Sequence, residues 1–347
     1  MNYLKNATPF IRLGQFLRSE AQRPLIEELI QRANQKNNWF TPPLVKAAID
    51  AIAQNYLDES NLKTWLSAYQ SASTQPQKVG VVMAGNVPAV GFHDALCVLI
   101  SGHHLIAKLS SDDQVLMQFL LDKLIEIEPI WANRITIADR LNAADAYIAT
   151  GSDNTARYFE YYFAKKPHLI RRNRTSVAVL TGHETPAELA ALSQDILQYF
   201  GLGCRNVSKL FVPPNYDFRA FYEAIEPVAD TYRNHHKYFN NYEYNRSVLL
   251  INREPHLDNG FLMLRENDAL VSPISVLFFE YYENKTALAE RLTAQAAKIQ
   301  CVVSRPNEWE GSVPFGQAQS PSLSDYADGV DTMAFLGSIA FSSAPPV

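Results

Sequence analysis

The chain has 347 residues, 47% of them hydrophobic and 19% charged, and this length corresponds to about two domains of ordinary size. A net charge of −5 without blocks of like charge argues against a dedicated nucleic-acid-binding protein. Three cysteines are too few, and odd in number, for a disulfide framework, and they favour a reducing compartment. Residues 1–15 carry no targeting signal and no apolar run reaches about 18 residues, which predicts a cytoplasmic protein without a membrane span.

The first 75 residues read as helices, because the segments 24–33 and 43–57 carry apolar residues on one helical face. From residue 78 the pattern changes to buried strands that alternate with helices. The predicted strands are 78–83, 105–109, 134–138 and 146–150, and the predicted helices are 89–101, 112–127 and 153–163. This alternation is typical of a doubly wound α/β fold, whose parallel sheet places ligands at the carboxyl ends of its strands.

A second α/β run begins at residue 176. Its predicted strands are 176–180, 210–212, 247–251, 275–279 and 300–303. Thr185 and Glu188 have the spacing of a capping box that opens a helix, which we expect to end at Gly201. We therefore divide the chain into domains 1–175 and 176–330 and a C-terminal segment 331–347, in which the hydrophobic run 333–341 is a candidate strand for oligomerisation.

Cys204 differs from the other two cysteines in its surroundings. Cys97 and Cys301 lie in apolar helix and strand patterns and are predicted to be small core residues. Cys204 follows Gly-Leu-Gly at a predicted helix end, and its neighbour Arg205 together with a following helix N-terminus would favour the thiolate. Local sequence leaves two interpretations open, a nucleophile or an incidental loop cysteine.

Two polar turns follow predicted strands. Asn86, in Ala-Gly-Asn-Val-Pro, could donate to an oxyanion or simply cap a helix. The run 149–152, Ala-Thr-Gly-Ser, opens a helix and suits phosphate binding, although Ser152 or Asp153 also fits a plain N-cap. Neither GxGxxG nor GxxxxGK[ST] is present, so the Rossmann fingerprint and the P-loop are both excluded.

These features stand in the order of a known superfamily. The chain resembles the aldehyde dehydrogenases from about residue 78 to residue 336, and most closely their acyl-CoA reductase branch, the LuxC-like fatty-acid reductases. The motifs that carry the resemblance are AGNVPAV, ATGSDNTARYF, NRTSVAVL, FGLGCRNVSKLFVP, ALVSPISVLFFEYYE and VPFGQ. The resemblance implies two doubly wound α/β domains, an NAD(P)-binding one over 1–175 and a catalytic one over 176–330, with the active site in the cleft between them.

The resemblance also implies roles for individual residues. Cys204 falls on the nucleophile and Asn86 on the amide that stabilises the oxyanion. Lys108 falls on a lysine that contacts the cofactor's ribose. The other positions assigned to the cofactor site are Ser110, Ser111, Thr150, Gly151, Ser152 and Pro273.

Three positions depart from the family pattern. The glutamate that activates water in aldehyde-oxidising members is replaced at Ile170, within 168–172, which disfavours hydrolysis and favours acyl transfer to a thiol such as CoA. Ser111 replaces a ribose-binding glutamate, and this favours NADPH over NADH, which stays the alternative. Ala269 replaces another glutamate and leaves ribose contacts there in doubt.

We therefore expect an enzyme that reduces an acyl thioester to an aldehyde with NADPH through an acyl-cysteine intermediate. Two alternatives remain: a subunit that receives its acyl group from an acyl-protein synthetase partner, and a non-catalytic nucleotide-binding or scaffold protein. The resemblance also implies a homo-oligomer. No metal site is expected, because the adjacent His235 and His236 lack ligand spacing. Their segment, 231–247, is read as a packed loop, an interface or a lining of the substrate entrance.

Overall fold

A computed structural model describes residues 3–69, 75–151 and 153–339 of the chain. The chain forms two compact units, each described by itself. The first unit comprises Met1–Asn173 and the segment that begins at Pro321, and the second unit comprises Arg174–Ser320. The division between Asn173 and Arg174 lies beside the boundary expected at residue 175, but the first unit resumes at Pro321, before the expected boundary at residue 330.

The first unit opens with helices, as predicted. They are α1 (Tyr3–Arg18), α2 (Arg23–Lys36), α3 (Pro42–Ala51) and α4 (Glu59–Leu66), with a π-helical turn at Ile52–Tyr56 after α3. The Asp58 side chain caps α4 by accepting from the amides of Ser60 and Asn61, which would otherwise have no partner at the helix start. Helix α1 buries Phe10 and Leu13 completely, so its apolar face belongs to the core of the first unit.

A five-stranded, fully parallel sheet forms the centre of the first unit. Its strands are β1 (Lys78–Val82), β2 (His104–Lys108), β3 (Ile135–Ile137), β4 (Ala146–Thr150) and β5 (His168–Arg171). Their helices are α5 (Phe92–Ile100), α6 (Gln114–Ile127) and α7 (Asp153–Phe163). The strand order β3-β2-β1-β4-β5 reverses direction between β1 and β4, which is the switch point where such sheets bind ligands.

Helix α5 is buried along its whole length, which explains why its sequence is almost continuously apolar. Cys97 on this helix is fully buried, and burial raises the pKa of its thiol well above the usual range. The prediction that Cys97 is a core residue is confirmed.

The second unit contains a six-stranded sheet. Its strands are β6 (Thr175–Val179), β7 (Val207–Val212), β8 (Leu257–Asp258), β9 (Met263–Glu266), β10 (Val276–Tyr281) and β11 (Ile299–Val303). The order is β11-β6-β7-β10-β9-β8, and every pair is parallel except β8 with β9. Its helices are α8 (Pro186–Leu197), α9 (Arg219–Ile225), α10 (Ala229–Arg233), α11 (His236–Ile251) and α12 (Lys285–Ala294).

The strand predicted at 247–251 is wrong, because these residues form the last part of α11. The buried residues of α11 are Tyr238, Tyr242 and Leu249, and their spacings of four and seven residues place them on one helical face. A short apolar run alone fits a strand or a helix equally well, and here the continuous helix before it decides.

The strand predicted over 333–341 is also wrong in its described part, because residues Thr332–Ile339 form helix α13 and residues 340 and 341 lie outside the described residues. Met333, Leu336 and Ile339 are buried at spacings of three, which suits a helix packed on the core of the first unit. His103 fixes this helix, since its Nε2 donates to the Leu336 carbonyl at 3.0 Å while its Nδ1 accepts from the Gln77 amide. A helix removes the basis for an oligomerisation strand at this position.

Candidate active site

The carboxyl edge of the first unit's sheet gathers most of the residues predicted to bind the cofactor. Strand register places Val82 of β1 beside Lys108 of β2 and beside Ala149 of β4, so the loops after these strands leave the sheet at one level. Asn86 follows β1 and is exposed, and Thr150 ends β4. The structure thus brings these residues to the switch point, as the sequence predicted.

Gly85, beside Asn86, is required because the Ser110 side chain lies very close to its Cα. A Cβ at Gly85 would lie 2.3 Å from the Oγ and 2.6 Å from the Cβ of Ser110, so only glycine leaves room for this serine. Ser110 is half-buried against the β1 loop. Ser110 therefore joins the loops after β1 and β2 and leaves the neighbouring Ser111 exposed at the surface.

Lys108 supplies a free positive charge at this edge. Its side chain is exposed at the end of β2, and within the described residues it makes no hydrogen bond and no ion pair. An unpaired ammonium group close in sequence to the exposed Ser111 fits a ligand with phosphate or ribose oxygens.

Gly151 allows helix α7 to pack tightly on the end of β4. A Cβ at this position would lie 3.0 Å from both Phe159 Cε2 and Thr155 Cβ. The following residue, Ser152, lies outside the described residues, so its predicted phosphate contact stays a prediction.

Asp113, which no sequence pattern indicated as a site residue, lies behind the same edge. It precedes α6 and is buried, and its two carboxyl oxygens make no hydrogen bond of normal geometry among the described residues. Burial raises the pKa of Asp113 well above its usual range, and a main-chain contact with Ala89 opposes this only in part. Burial therefore disfavours the charged form of this acid.

The position of the water-activating glutamate lies on β5, and no residue from 168 to 172 carries a carboxylate. Ile170 is half-buried, and its neighbour Arg171 is buried in an ion pair with Asp94 at 2.6 Å and a hydrogen bond to Thr332 Oγ1 at 2.8 Å. Arg171 is thus occupied in holding α5 and α13 to the sheet.

In the second unit, Cys204 lies in a tight turn between α8 and β7 and is half-buried. The turn closes when the Asn206 amide donates to the Gly203 carbonyl at 3.0 Å. Strand β7 begins at Val207, so no helix starts after Cys204 and the expected helix N-terminus is wrong. Valine and the following apolar residues of β7 favour the strand because they are buried in the sheet.

The chain reaches this turn through an unusual backbone segment. Tyr199, Phe200 and Gly201 have φ angles of 54°, 57° and 76°, so three successive residues are left-handed. Glycine adopts this conformation freely, but for each of the two aromatic residues it costs about 1–2 kcal/mol of conformational energy. The surrounding contacts must therefore hold the segment in place.

Asn206 provides the largest set of these contacts. Its Nδ2 donates to the carbonyls of Asp195, Ile196 and Gln198 at 3.1, 3.3 and 2.8 Å, and its Oδ1 accepts from the Gly203 amide at 2.8 Å. The side chain is almost fully buried. One carboxamide thus joins the end of α8 to the cysteine turn.

Ser176 on β6 holds the turn from the other side. Its Oγ donates to the Cys204 carbonyl at 3.1 Å, and its amide donates to the Asn206 carbonyl at 3.1 Å. The same Oγ lies 3.1 Å from Cys301 Sγ on β11, so Cys301 belongs to a strand as predicted, but it is half-buried and lies close to the turn that carries Cys204.

Aromatic residues from the segment 231–247 pack against Phe200. The Phe200 ring stacks on His235 with centroids 4.1 Å apart and meets Tyr232 and Tyr238 at 5.6 and 5.8 Å. This segment therefore packs in support of the chain before Cys204, but it does so as parts of helices α10 and α11 and not as the packed loop that was one of the interpretations. Contact of this segment with a substrate stays a prediction.

Asp195 links α8 to the VPFGQ motif, residues 313–317. Its carboxylate accepts from the amides of Gly316 and Ala318 at 2.6 and 2.9 Å. Burial raises the pKa of Asp195 to about 6, although both hydrogen bonds lower it. Gly316 has a φ of 78° and a Cβ there would lie 3.2 Å from Ala191 Cβ, so the motif needs its glycine.

Pro273 is exposed on the loop before β10. This loop and Gly201 of the cysteine approach line one shallow cavity of the second unit, together with Tyr238. The structure thus places Pro273 on the same face of the second unit as the approach to Cys204.

The sequence did not predict that Asn206, Asp195 and Ser176 support the turn of Cys204 and the segments next to it. Ser176 and Asn206 stand within the quoted motifs NRTSVAVL and FGLGCRNVSKLFVP, which was the signal available for them. Asp195 acts through contacts that a linear pattern does not show. Among the described residues no group of three or more His, Cys, Asp or Glu could hold a metal ion. No described helix has the length and hydropathy needed to cross a membrane.

Solved structures of aldehyde dehydrogenases share this fold. An NADP-dependent enzyme from E. coli matches at 12% identity and TM-score 0.67, covering 89% of this chain and 74% of its own. The aldehyde dehydrogenase KauB from Pseudomonas aeruginosa matches at 14% identity and TM-score 0.66, covering 90% of this chain and 73% of its own. An NAD-dependent aldehyde dehydrogenase from Sinorhizobium meliloti matches at 11% identity and TM-score 0.65, covering 93% of this chain and 73% of its own. The chain therefore has an aldehyde dehydrogenase-like α/β fold.

The family model described as acyl-CoA reductase (LuxC) matches residues 33–229. This match covers more than half of the chain and includes both Asn86 and Cys204, and the chain belongs to the LuxC acyl-CoA reductase family. It is accordingly an oxidoreductase of aldehyde-related chemistry. No curated protein sequence matches the chain significantly.

Proposed function

We propose that the protein is an acyl-CoA reductase that converts an acyl thioester to an aldehyde with NADPH, through an acyl group carried on Cys204. The observation that carries this proposal is the presentation of Cys204 on a turn held by Asn206 and Ser176 at both ends. The family match supports it, because the matched residues include this turn.

The first step is thioester exchange. The Cys204 thiolate attacks the acyl carbon, a new carbon–sulfur bond forms, and the bond to the CoA sulfur breaks so that CoA leaves as a thiolate. The Asn86 side-chain amide donates a hydrogen bond to the oxyanion of the tetrahedral intermediate. Covalent capture divides one difficult reduction into two easier steps.

The carboxyl edge of the first unit's sheet fits a nicotinamide cofactor, because it presents an unpaired Lys108, exposed Ser111 and a glycine-based opening of α7 at the switch point. We assign the cofactor to Lys108, Ser110, Ser111, Thr150, Gly151, Ser152 and Pro273. When bound, such a cofactor supplies hydride to an acyl carbon. Cys204 is then the leaving group, and its departure as a thiolate releases the aldehyde.

Acyl transfer to CoA is favoured over hydrolysis. Residues 168–172 carry no carboxylate, and Arg171 is committed to Asp94, so this strand supplies no general base for water. An acyl-Cys204 thioester therefore persists long enough to be reduced or to return to CoA.

NADPH is favoured over NADH by the local charges. Ser111 takes the place of a ribose-binding glutamate, and the nearby Asp113 is buried with its pKa raised. Fewer negative charges at this edge reduce repulsion of a 2′-phosphate.

The test is NADPH oxidation that depends on acyl-CoA, measured for the wild type, Cys204→Ala and Cys301→Ala. Cys301 is the matched control, because it is also half-buried and near the turn. We expect Cys204→Ala to be inactive and Cys301→Ala to retain activity. Full activity of Cys204→Ala would reject Cys204 as the nucleophile.

A further inference from the structure

We propose that Asn206 is a positioning residue for Cys204, which sets how the thiol is presented without touching the substrate. The inference rests on the nucleophile role given to Cys204 in the proposed function. Asn206 stands two residues after Cys204 and is buried, so it acts through the backbone of the turn.

The need for such a residue follows from the backbone before the turn. Helix α8 ends at Leu197, and Tyr199 and Phe200 then adopt left-handed conformations that non-glycine residues avoid. Aromatic packing on Phe200 holds one part of this segment. A second restraint must act between the segment and the cysteine turn.

The Asn206 carboxamide is that restraint at the helix end. Carbonyls in the last turn of a helix have no partner within the helix. Nδ2 of Asn206 donates to two such carbonyls, of Asp195 and Ile196, and to the carbonyl of Gln198 just after the helix, so its two N–H groups are fully used and one is shared.

The same side chain fixes the turn itself. Asn206 Oδ1 accepts from the Gly203 amide at 2.8 Å while the Asn206 amide donates to the Gly203 carbonyl at 3.0 Å. Cys204 and Arg205 lie between these two doubly joined residues. The backbone of Cys204 therefore cannot rotate without breaking bonds on Asn206 or the Ser176 bond to its carbonyl.

The experiment measures the alkylation rate of Cys204 by iodoacetamide as a function of pH, with peptide-resolved mass spectrometry to separate Cys204 from the other thiols. The variants are Asn206→Ala and Asn206→Asp. The matched control is Thr185→Ala, which breaks the capping box at the opposite end of α8 and lowers stability without touching the turn.

We expect both Asn206 variants to change the Cys204 rate by about tenfold or more and to shift the midpoint of its pH profile, because a displaced thiol meets different charges and donors. Thr185→Ala should keep the wild-type profile. A wild-type profile in a folded Asn206 variant would overturn the proposal and leave Asn206 a purely structural residue.

Asn206→Asp keeps the acceptor for the Gly203 amide and carries the test if Asn206→Ala does not fold. Alkylation requires neither acyl-CoA nor NADPH, so its outcome is separate from that of the proposed function. A Cys204→Ala enzyme that still oxidised NADPH would remove the reason for positioning Cys204, whatever the alkylation profile showed.

Discussion

Asp195 and Gly316 are joined by a hydrogen bond of 2.6 Å from the Gly316 amide to the Asp195 carboxylate, in a place where the carboxylate is fully buried. The main-chain carbonyl of the same aspartate accepts from Asn206 at 3.1 Å. One residue at the end of α8 therefore contacts both the VPFGQ motif and the support of the cysteine turn.

The burial of Asp195 predicts a pH-dependent stability. Burial raises the folded-state pKa of Asp195 to about 6 from its ordinary 3.8, so the folded state binds this proton more tightly than the unfolded chain does. The contribution of Asp195 to the free energy of unfolding is greatest below about pH 4 and is lost as the pH rises through about 6. The total change is up to about 3 kcal/mol. Urea unfolding between pH 4 and 8 should show this component in the wild type and not in Asp195→Asn. Parallel pH profiles of the two proteins would contradict it.

The contact between Gly85 and Ser110 predicts a paired substitution. Gly85→Ala places a Cβ 2.3 Å from Ser110 Oγ, so the loops after β1 and β2 must separate. We expect a loss of about 1–3 kcal/mol in the free energy of unfolding and weaker NADPH binding. Adding Ser110→Gly removes the obstructing side chain and should recover much of the stability, as thermal unfolding of the single and double variants will show. Strictly additive losses would indicate that the two residues do not meet.

Cofactor choice should respond to charge at Ser111. Ser111→Glu introduces a carboxylate at an exposed position beside Lys108, where it would repel a 2′-phosphate and accept from ribose hydroxyls. We expect the ratio of kcat/KM for NADPH to that for NADH to fall by about tenfold or more, since one such charge interaction is worth over 1 kcal/mol. Steady-state rates with both cofactors measure this ratio. An unchanged ratio would place the 2′-phosphate elsewhere.

Lys209 is a buried cation at the centre of the second unit's sheet. Its Nζ donates to the carbonyls of Asn267 and Asp268 at 2.9 Å each and to Glu280 Oε2 at 2.5 Å. Lys209→Met should cost about 1–3 kcal/mol, because the substitution removes the buried donor of the Asn267 carbonyl and leaves Arg291 as the remaining cation beside Glu280 and the Asp268 carbonyl. Chemical denaturation provides the measurement, and Lys285→Met, at an exposed ion pair with Glu308, is the control expected to leave the free energy of unfolding nearly unchanged.

The sequence predicted those helices and strands that a local residue pattern marks clearly. Strands β1, β2 and β4 are short buried apolar runs, and these local patterns predicted the parallel sheet and its switch point. The capping box at Thr185 predicted the start of α8. The roles expected of Asn86 and Cys204 came from the family resemblance.

The rest depends on contacts between distant parts of the chain. Asn206 is significant because its side chain reaches carbonyls eight to eleven residues earlier, and Asp195 because it meets Gly316 across more than a hundred residues. The end of α11 and helix α13 were read as strands because short apolar runs suit both structures, and only packing on the core separates them.

The central claim is that Cys204 carries the acyl group. Intact-mass and peptide mass spectrometry of the protein incubated with acyl-CoA, without NADPH, test it most directly, and an acyl-protein synthetase loaded with the same acyl group serves as the second donor. We predict one acyl adduct, on Cys204, that forms with acyl-CoA and disappears when NADPH is added with release of aldehyde. Formation only with the acyl-protein donor would assign the enzyme to a partner-fed reductase, and an adduct on another residue, or none with either donor, would contradict the account.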